Sequence, residues 1–134
     1  YLDKRYLELM FGAPVTGMAY PFGEYNSAVL QTARDAGILY GRTVKSSGGF
    51  DLPQEPLELC PTCHHKDPRL MDFARAFAEL DPEEPKLFYV WGHSYEFDVD
   101  DNWQVMEEFC SFLSGRDDIF YGTNREVLSP LFAR

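Results

Sequence analysis

Apolar side chains recur along this chain in two alternating rhythms. Leu2, Tyr6, Leu9 and Met10 fall at helical spacing, and Gly12 is placed to end that helix in a left-handed conformation. Thr16 to Tyr20 reads as a short strand, broken at once by Pro21 and Gly23. Val29, Leu30, Ala33 and Ala36 mark one face of a helix from about Ser27 to Ala36, with Gly37 as its stop. Ile38 to Val44 resumes as a strand, and a long Gly/Pro/Ser-rich loop then runs from Lys45 to Pro56. Loops of that length inside a compact domain often carry function.

Asp67 and Pro68 supply an N-cap and a first-turn proline for the next helix, whose predicted buried stripe is Leu70, Phe73, Ala74, Phe77, Ala78 and Leu80. Leu87 to Trp91 is a short aromatic and aliphatic run between Pro85 and Gly92, the pattern of a strand buried on both faces. Asp100, Asp101 and Asn102 open a helix with Trp103, Met106, Cys110 and Leu113 on its core face and Gly115 at its end. Ile119 to Asn124 is a fourth strand, followed by a short helix. The alternation predicts an α/β fold: one domain over residues 1–134, with about four parallel strands joined by right-handed helical crossovers.

Composition narrows the class. With 45% hydrophobic and 25% charged residues, the chain has the make-up of a globular domain, and no apolar run is long enough to cross a bilayer. A net charge of −10 repels polyanions, which argues against nucleic acid as a partner. Three cysteines, two of them in Cys60-x-x-Cys63, do not make a secreted disulfide framework, so a reducing, cytoplasmic setting is expected.

The chemistry concentrates at two places. His93 follows directly on the Leu87–Trp91 strand, and the C-terminal ends of strands are where α/β folds place reactive groups. Cys60-Pro61-Thr62-Cys63-His64 satisfies the C-x-x-C-H attachment signature of c-type haem, yet the alternating strands and helices around it do not make a helical haem pocket. Cys60, Cys63, His64 and His65 also form a run of zinc-type ligands. Two adjacent histidines and two neighbouring thiolates do not readily face one tetrahedral ion, because structural zinc sites draw ligands from separated pairs. A dithiol redox site and a plain loop with a substrate-lining His64 complete the alternatives.

Ala19-Tyr20-Pro21-Phe22-Gly23 and Trp91-Gly92-His93 resemble the third and fifth motifs of the NodB-type polysaccharide deacetylases. Pro61 to His65, Gly92 to Asp98 and Asp118 to Asn124 are similar to a bacterial subgroup of that family. The resemblance runs from about Thr16 to Val127. It implies part of a distorted (β/α) barrel and a hydrolase that removes N-acetyl groups from carbohydrate, using water activated by a divalent metal, usually zinc. In that reading His93 protonates the leaving amine, Trp91 walls the acetyl methyl, and the backbone N–H of Phe22 faces the oxyanion. Tyr20, His64 and Asp51 complete the substrate-binding set, Asp51 being the candidate for the aspartate that tunes the catalytic histidine.

The family's aspartate pair and its His-x-x-x-His have no counterpart among these residues, and position 19 is Ala where many members carry Arg. The expectation is therefore the C-terminal part of the barrel, inactive alone, binding no metal itself, and paired with a missing N-terminal half or a second copy. The competing reading is a non-catalytic carbohydrate- or metal-binding module that uses the aromatic surface and the Cys60/Cys63/His64/His65 loop.

Overall fold

The computed structural model describes residues 1–132. Six helices dominate it: α1 (Leu2–Phe11), α2 (Ser27–Asp35), α3 (Leu70–Ala78), α4 (Tyr95–Asp100), α5 (Trp103–Leu113) and α6 (Asn124–Phe132). The strands are short and form two separate parallel pairs, β1 (Gly17–Ala19) with β2 (Tyr40–Arg42) and β3 (Cys63–His64) with β4 (Val90–Trp91). This corrects the α/β barrel expectation: no four-stranded sheet forms among the described residues.

The reasons are local. Of the Leu87–Trp91 run, only Val90 and Trp91 ladder with a strand. Leu87 N–H instead donates to the Phe50 carbonyl, and Tyr89 N–H donates to the Thr62 hydroxyl. The expected strand at Ile119–Asn124 is pre-empted at both ends. Ile119 N–H turns back to the Arg116 carbonyl, and the Glu126 carboxylate accepts from both Thr123 N–H and its hydroxyl, a capping box that starts α6.

The chain divides into two compact units. The first comprises Tyr1–Val44, Pro53–Leu59 and the stretch from Phe120 onward. Asn26 caps α2 by accepting from Val29 N–H at 3.0 Å, and Gly12 (φ 61°) and Gly37 (φ 75°) turn the chain out of α1 and α2. Ala33, Ile38 and Leu57 make its core, with Val15, Met18 and Leu30 packed against them. Across the β1–β2 pair the ring of Tyr40 lies over Gly17, its register partner, and the ring of Tyr20 lies over Gly41. The apolar positions of α1 are not a buried stripe: Leu2, Tyr6, Leu9 and Met10 are all exposed.

The second unit comprises Lys45–Leu52 and Cys60–Ile119. Its hydrophobic centre is a set of phenylalanine rings in edge and tilted contact, Phe50 with Phe77 (5.1 Å) and Phe88 with Phe77 and Phe109 (5.3 and 5.4 Å). Helix α3 packs against α5. Of the face predicted for α5, Leu113 is buried and Met106 half-buried, while Trp103 and Cys110 are exposed and Phe109 turns inward instead. No helix among the described residues is long and apolar enough to cross a membrane.

Candidate functional site

All three histidines of the chain lie in the second unit, and all three approach one carboxylate oxygen. Glu96 Oε2 is 3.1 Å from His93 Nδ1, 3.4 Å from His64 Nε2 and 3.8 Å from His65 Nε2. Three local features produce this convergence.

Strand β3 pairs with β4 in the register Cys63↔Val90 and His64↔Trp91, and His65 N–H continues the ladder to the Trp91 carbonyl at 2.9 Å. Consecutive strand residues point to opposite faces. The chain turns at His65 and Lys66, which breaks that alternation and sets the two rings side by side, with centroids 4.4 Å apart. Gly92, just after β4, makes room for His65: a β-carbon there would stand 1.7 Å from Nδ1.

Helix α4 brings the carboxylate. Glu96 lies in its first turn and reaches back to His93, accepting from the backbone N–H and from the ring, each at 3.1 Å. Its Oε1 pairs with Lys66 Nζ at 3.2 Å, and Lys66 also holds Asp100 at 2.7 Å. Burial opposes the charge on Glu96. The hydrogen bonds from the His93 ring, from Lys66 and from the His93 backbone outweigh it and hold the carboxyl down at about 2, so Glu96 is an anion throughout the neutral range.

The histidines differ in surroundings. His64 is part-buried edge-on to Trp91 at 4.6 Å; burial first, then the neighbouring His65, lowers its pKa, which favours the neutral ring. Its Nδ1 accepts from Lys66 N–H at 3.2 Å. His65 is 3% exposed, stacked on Phe97 at 4.3 Å, and neither ring nitrogen has a hydrogen-bond partner among the described residues. Leaving such a group unsatisfied costs roughly 1–3 kcal/mol. His93 is the open member, with 53% of its side chain exposed and with Trp91 and Tyr95 beside it at 5.9 and 5.5 Å.

Of the sequence-predicted site residues, His93, Trp91 and His64 are thus brought together. Asp51 is exposed in the same unit and pairs with Lys86 at 2.6 Å; the carboxylate on His93 is that of Glu96. Tyr20 and Phe22 lie in the first unit. Tyr20 is 3% exposed and its hydroxyl donates to the Leu57 carbonyl at 2.8 Å, a core role. Phe22 is 97% exposed on a left-handed backbone (φ 57°), followed by Gly23 at φ 74°.

Neither Cys60 nor Cys63 belongs to the ligand group, which is His64, His65 and Glu96 among the described residues. Cys63 is fully enclosed, and burial pushes its thiol up to about 11, with Asp67 adding to the shift. The first unit holds an apolar cleft of about 670 Å³ between α1, α2 and β1, lined by residues such as Leu7, Met18, Val29 and Ile38 but by no histidine or cysteine. Its lining supplies no acid–base chemistry comparable to the histidine cluster.

Glu96 was missed in the sequence, and its signal was there: the spacing His93-x-x-Glu96 puts a carboxylate one helical turn after the histidine. His65 was named only within the Cys60/Cys63/His64/His65 run, and its placement against Glu96 depends on the turn and on Gly92. Compared with known proteins, the chain matches no family model, no curated protein and no solved structure.

Proposed function

We propose that this chain supplies the proton-transfer site of a hydrolase that cleaves N-acyl amides, with His93 as the acid and N-acetylated carbohydrate as the substrate class. The observation that carries the reading is the His93–Glu96 pair: an open imidazole whose Nδ1 is 3.1 Å from an ionised carboxylate. Support for the substrate class comes from the sequence segments Ala19–Gly23 and Trp91–His93.

Amide hydrolysis stalls at expulsion of the amine unless the nitrogen is protonated. With Nδ1–H donated to Glu96, the carboxylate orients the ring and leaves Nε2 as the nitrogen that exchanges a proton with the substrate. Trp91, edge-on to both His64 and His93, gives an apolar wall beside these rings. The ligand set that the resemblance implies, one aspartate of a pair and the two histidines of His-x-x-x-His, is not met by these 134 residues, so no step here runs through a metal held that way.

The test is steady-state deacetylation of an N-acetylated oligosaccharide by the full-length protein that carries this chain and by its His93→Asn variant, with circular dichroism to check folding. The expected result is a parallel fall in kcat and kcat/KM of about 10²- to 10⁴-fold. Near wild-type kcat in the variant refutes the role of His93, and no turnover by the full-length wild-type protein refutes the substrate assignment.

A further inference from the structure

We propose that His64, His65 and Glu96 form a binding site for a divalent transition-metal ion of the zinc class, built on this chain's own residues and separate from the cysteines. The three ligand atoms lie within 4.8 Å of one another. Ligands about 2.0–2.1 Å from a tetrahedral ion stand roughly 3.3–3.4 Å apart. The His64 Nε2 to Glu96 Oε2 spacing is 3.4 Å, and that from His65 Nε2 is 3.8 Å. Two imidazoles and one carboxylate make the three-ligand set of zinc sites that keep a fourth position for water or substrate.

His65 supplies an independent sign of a ligand. Its side chain is 98% buried, both ring nitrogens lack a hydrogen-bond partner among the described residues, and Nε2 is aimed at the Glu96 carboxylate. A metal on Nε2 gives this ring the partner that the described residues do not. The surroundings fit one cation. Lys66 takes Oε1 of Glu96 and Asp100, and Oε2, which already accepts from the His93 backbone N–H and ring, is the oxygen turned toward both imidazoles. Ligation through His64 Nε2 places that ring's proton on Nδ1, so the 3.2 Å bond from Lys66 N–H is exchanged for water.

The site does not depend on the hydrolase reading, because its test reads metal and not turnover. The metal-stripped chain is titrated with Co²⁺, followed by visible absorption, and with Zn²⁺ by calorimetry. One equivalent is expected, with the intense d–d bands of a tetrahedral ion. Glu96→Gln and His64→Ala should each weaken binding at least tenfold while the fold is retained by circular dichroism. His93→Gln and the double variant Cys60→Ser/Cys63→Ser should keep full stoichiometry. Binding of substantially less than one equivalent by the wild type overturns the proposal. So does loss of the metal in the cysteine variant together with its retention in Glu96→Gln.

Discussion

Gly92 lies so close to His65 that a β-carbon at position 92 would stand 1.7 Å from the imidazole Nδ1 and 2.5 Å from Cε1. The ring is clamped, with Phe97 stacked at 4.3 Å and His64 at 4.4 Å, so it has no cheap way to retreat. Gly92→Ala is therefore an overpacking substitution. It should cost about 1–3 kcal/mol in urea unfolding and weaken Co²⁺ binding together with stability. A Gly92→Ala chain as stable as the wild type would mean that His65 is free to move.

Tyr20 links stability to alkaline pH. Burial, and then Glu58 and Glu55, raise its phenol above the ordinary 10.0, with Arg34 opposing. A proton held more tightly in the folded state gives stability that is complete below pH 10 and lost as the pH rises through the folded value. Tyr20→Phe removes the bond to the Leu57 carbonyl, so it should lower neutral-pH stability by about 1 kcal/mol. Above pH 10 its stability should fall less steeply than that of the wild type. Urea midpoints at neutral and alkaline pH, compared between the two proteins, read both effects; parallel pH curves would contradict the second.

Phe22 carries backbone strain that its side chain does not repay in packing. It is left-handed at φ 57° with its ring 97% exposed, a conformation unfavourable for a bulky residue. Phe22→Gly should stabilise the first unit by about 1 kcal/mol, even after the entropy that glycine adds to the unfolded chain. Thermal melting of the pair decides it, and a lower Tm for the glycine variant would show that the ring makes stabilising contacts.

The thiols should differ sharply in reactivity. Cys110 is exposed, whereas Cys63 is fully enclosed with its thiol pushed up to about 11, so its thiolate is scarce at neutral pH. Alkylation of the native protein, read peptide by peptide by mass spectrometry, should label Cys110 quickly and Cys63 only after unfolding. Equal rates would show that the β3 segment opens readily.

Helix C-termini were the legible part of this sequence, because the signals that end helices are local, whereas Asp67 and Pro68, expected to start α3, lie before its cap at Arg69. Gly12, Gly37 and Gly115 all adopt positive φ just past the helices that they were expected to stop. Strands were less legible, since a ladder needs a partner that the segment does not encode. Ile119–Asn124 has strand-forming side chains, yet Thr123 and Glu126 close a cap within it and the chain enters α6 instead. The site divides similarly. His93 and Trp91 could be named from their place at the end of an aromatic run, and Glu96 sat three residues on as an unread signal. The approach of His64 and His65 to the same carboxylate rests on a turn and a glycine, which periodicity does not see.

The tyrosine rings seated over Gly17 and Gly41 have a consequence for chain alignment. Strands of three residues present few ladder bonds by which to tell one alignment from its neighbours, and a shift of one residue reverses every face. Here the choice is made sterically. In the native frame Tyr40 meets the one position in β1 without a side chain; one step along, its ring would meet Met18. The Tyr20–Gly41 contact imposes the same condition from the opposite strand. Each glycine acts as a keyway cut for one ring, so the first unit can afford short strands and still assemble in a single frame.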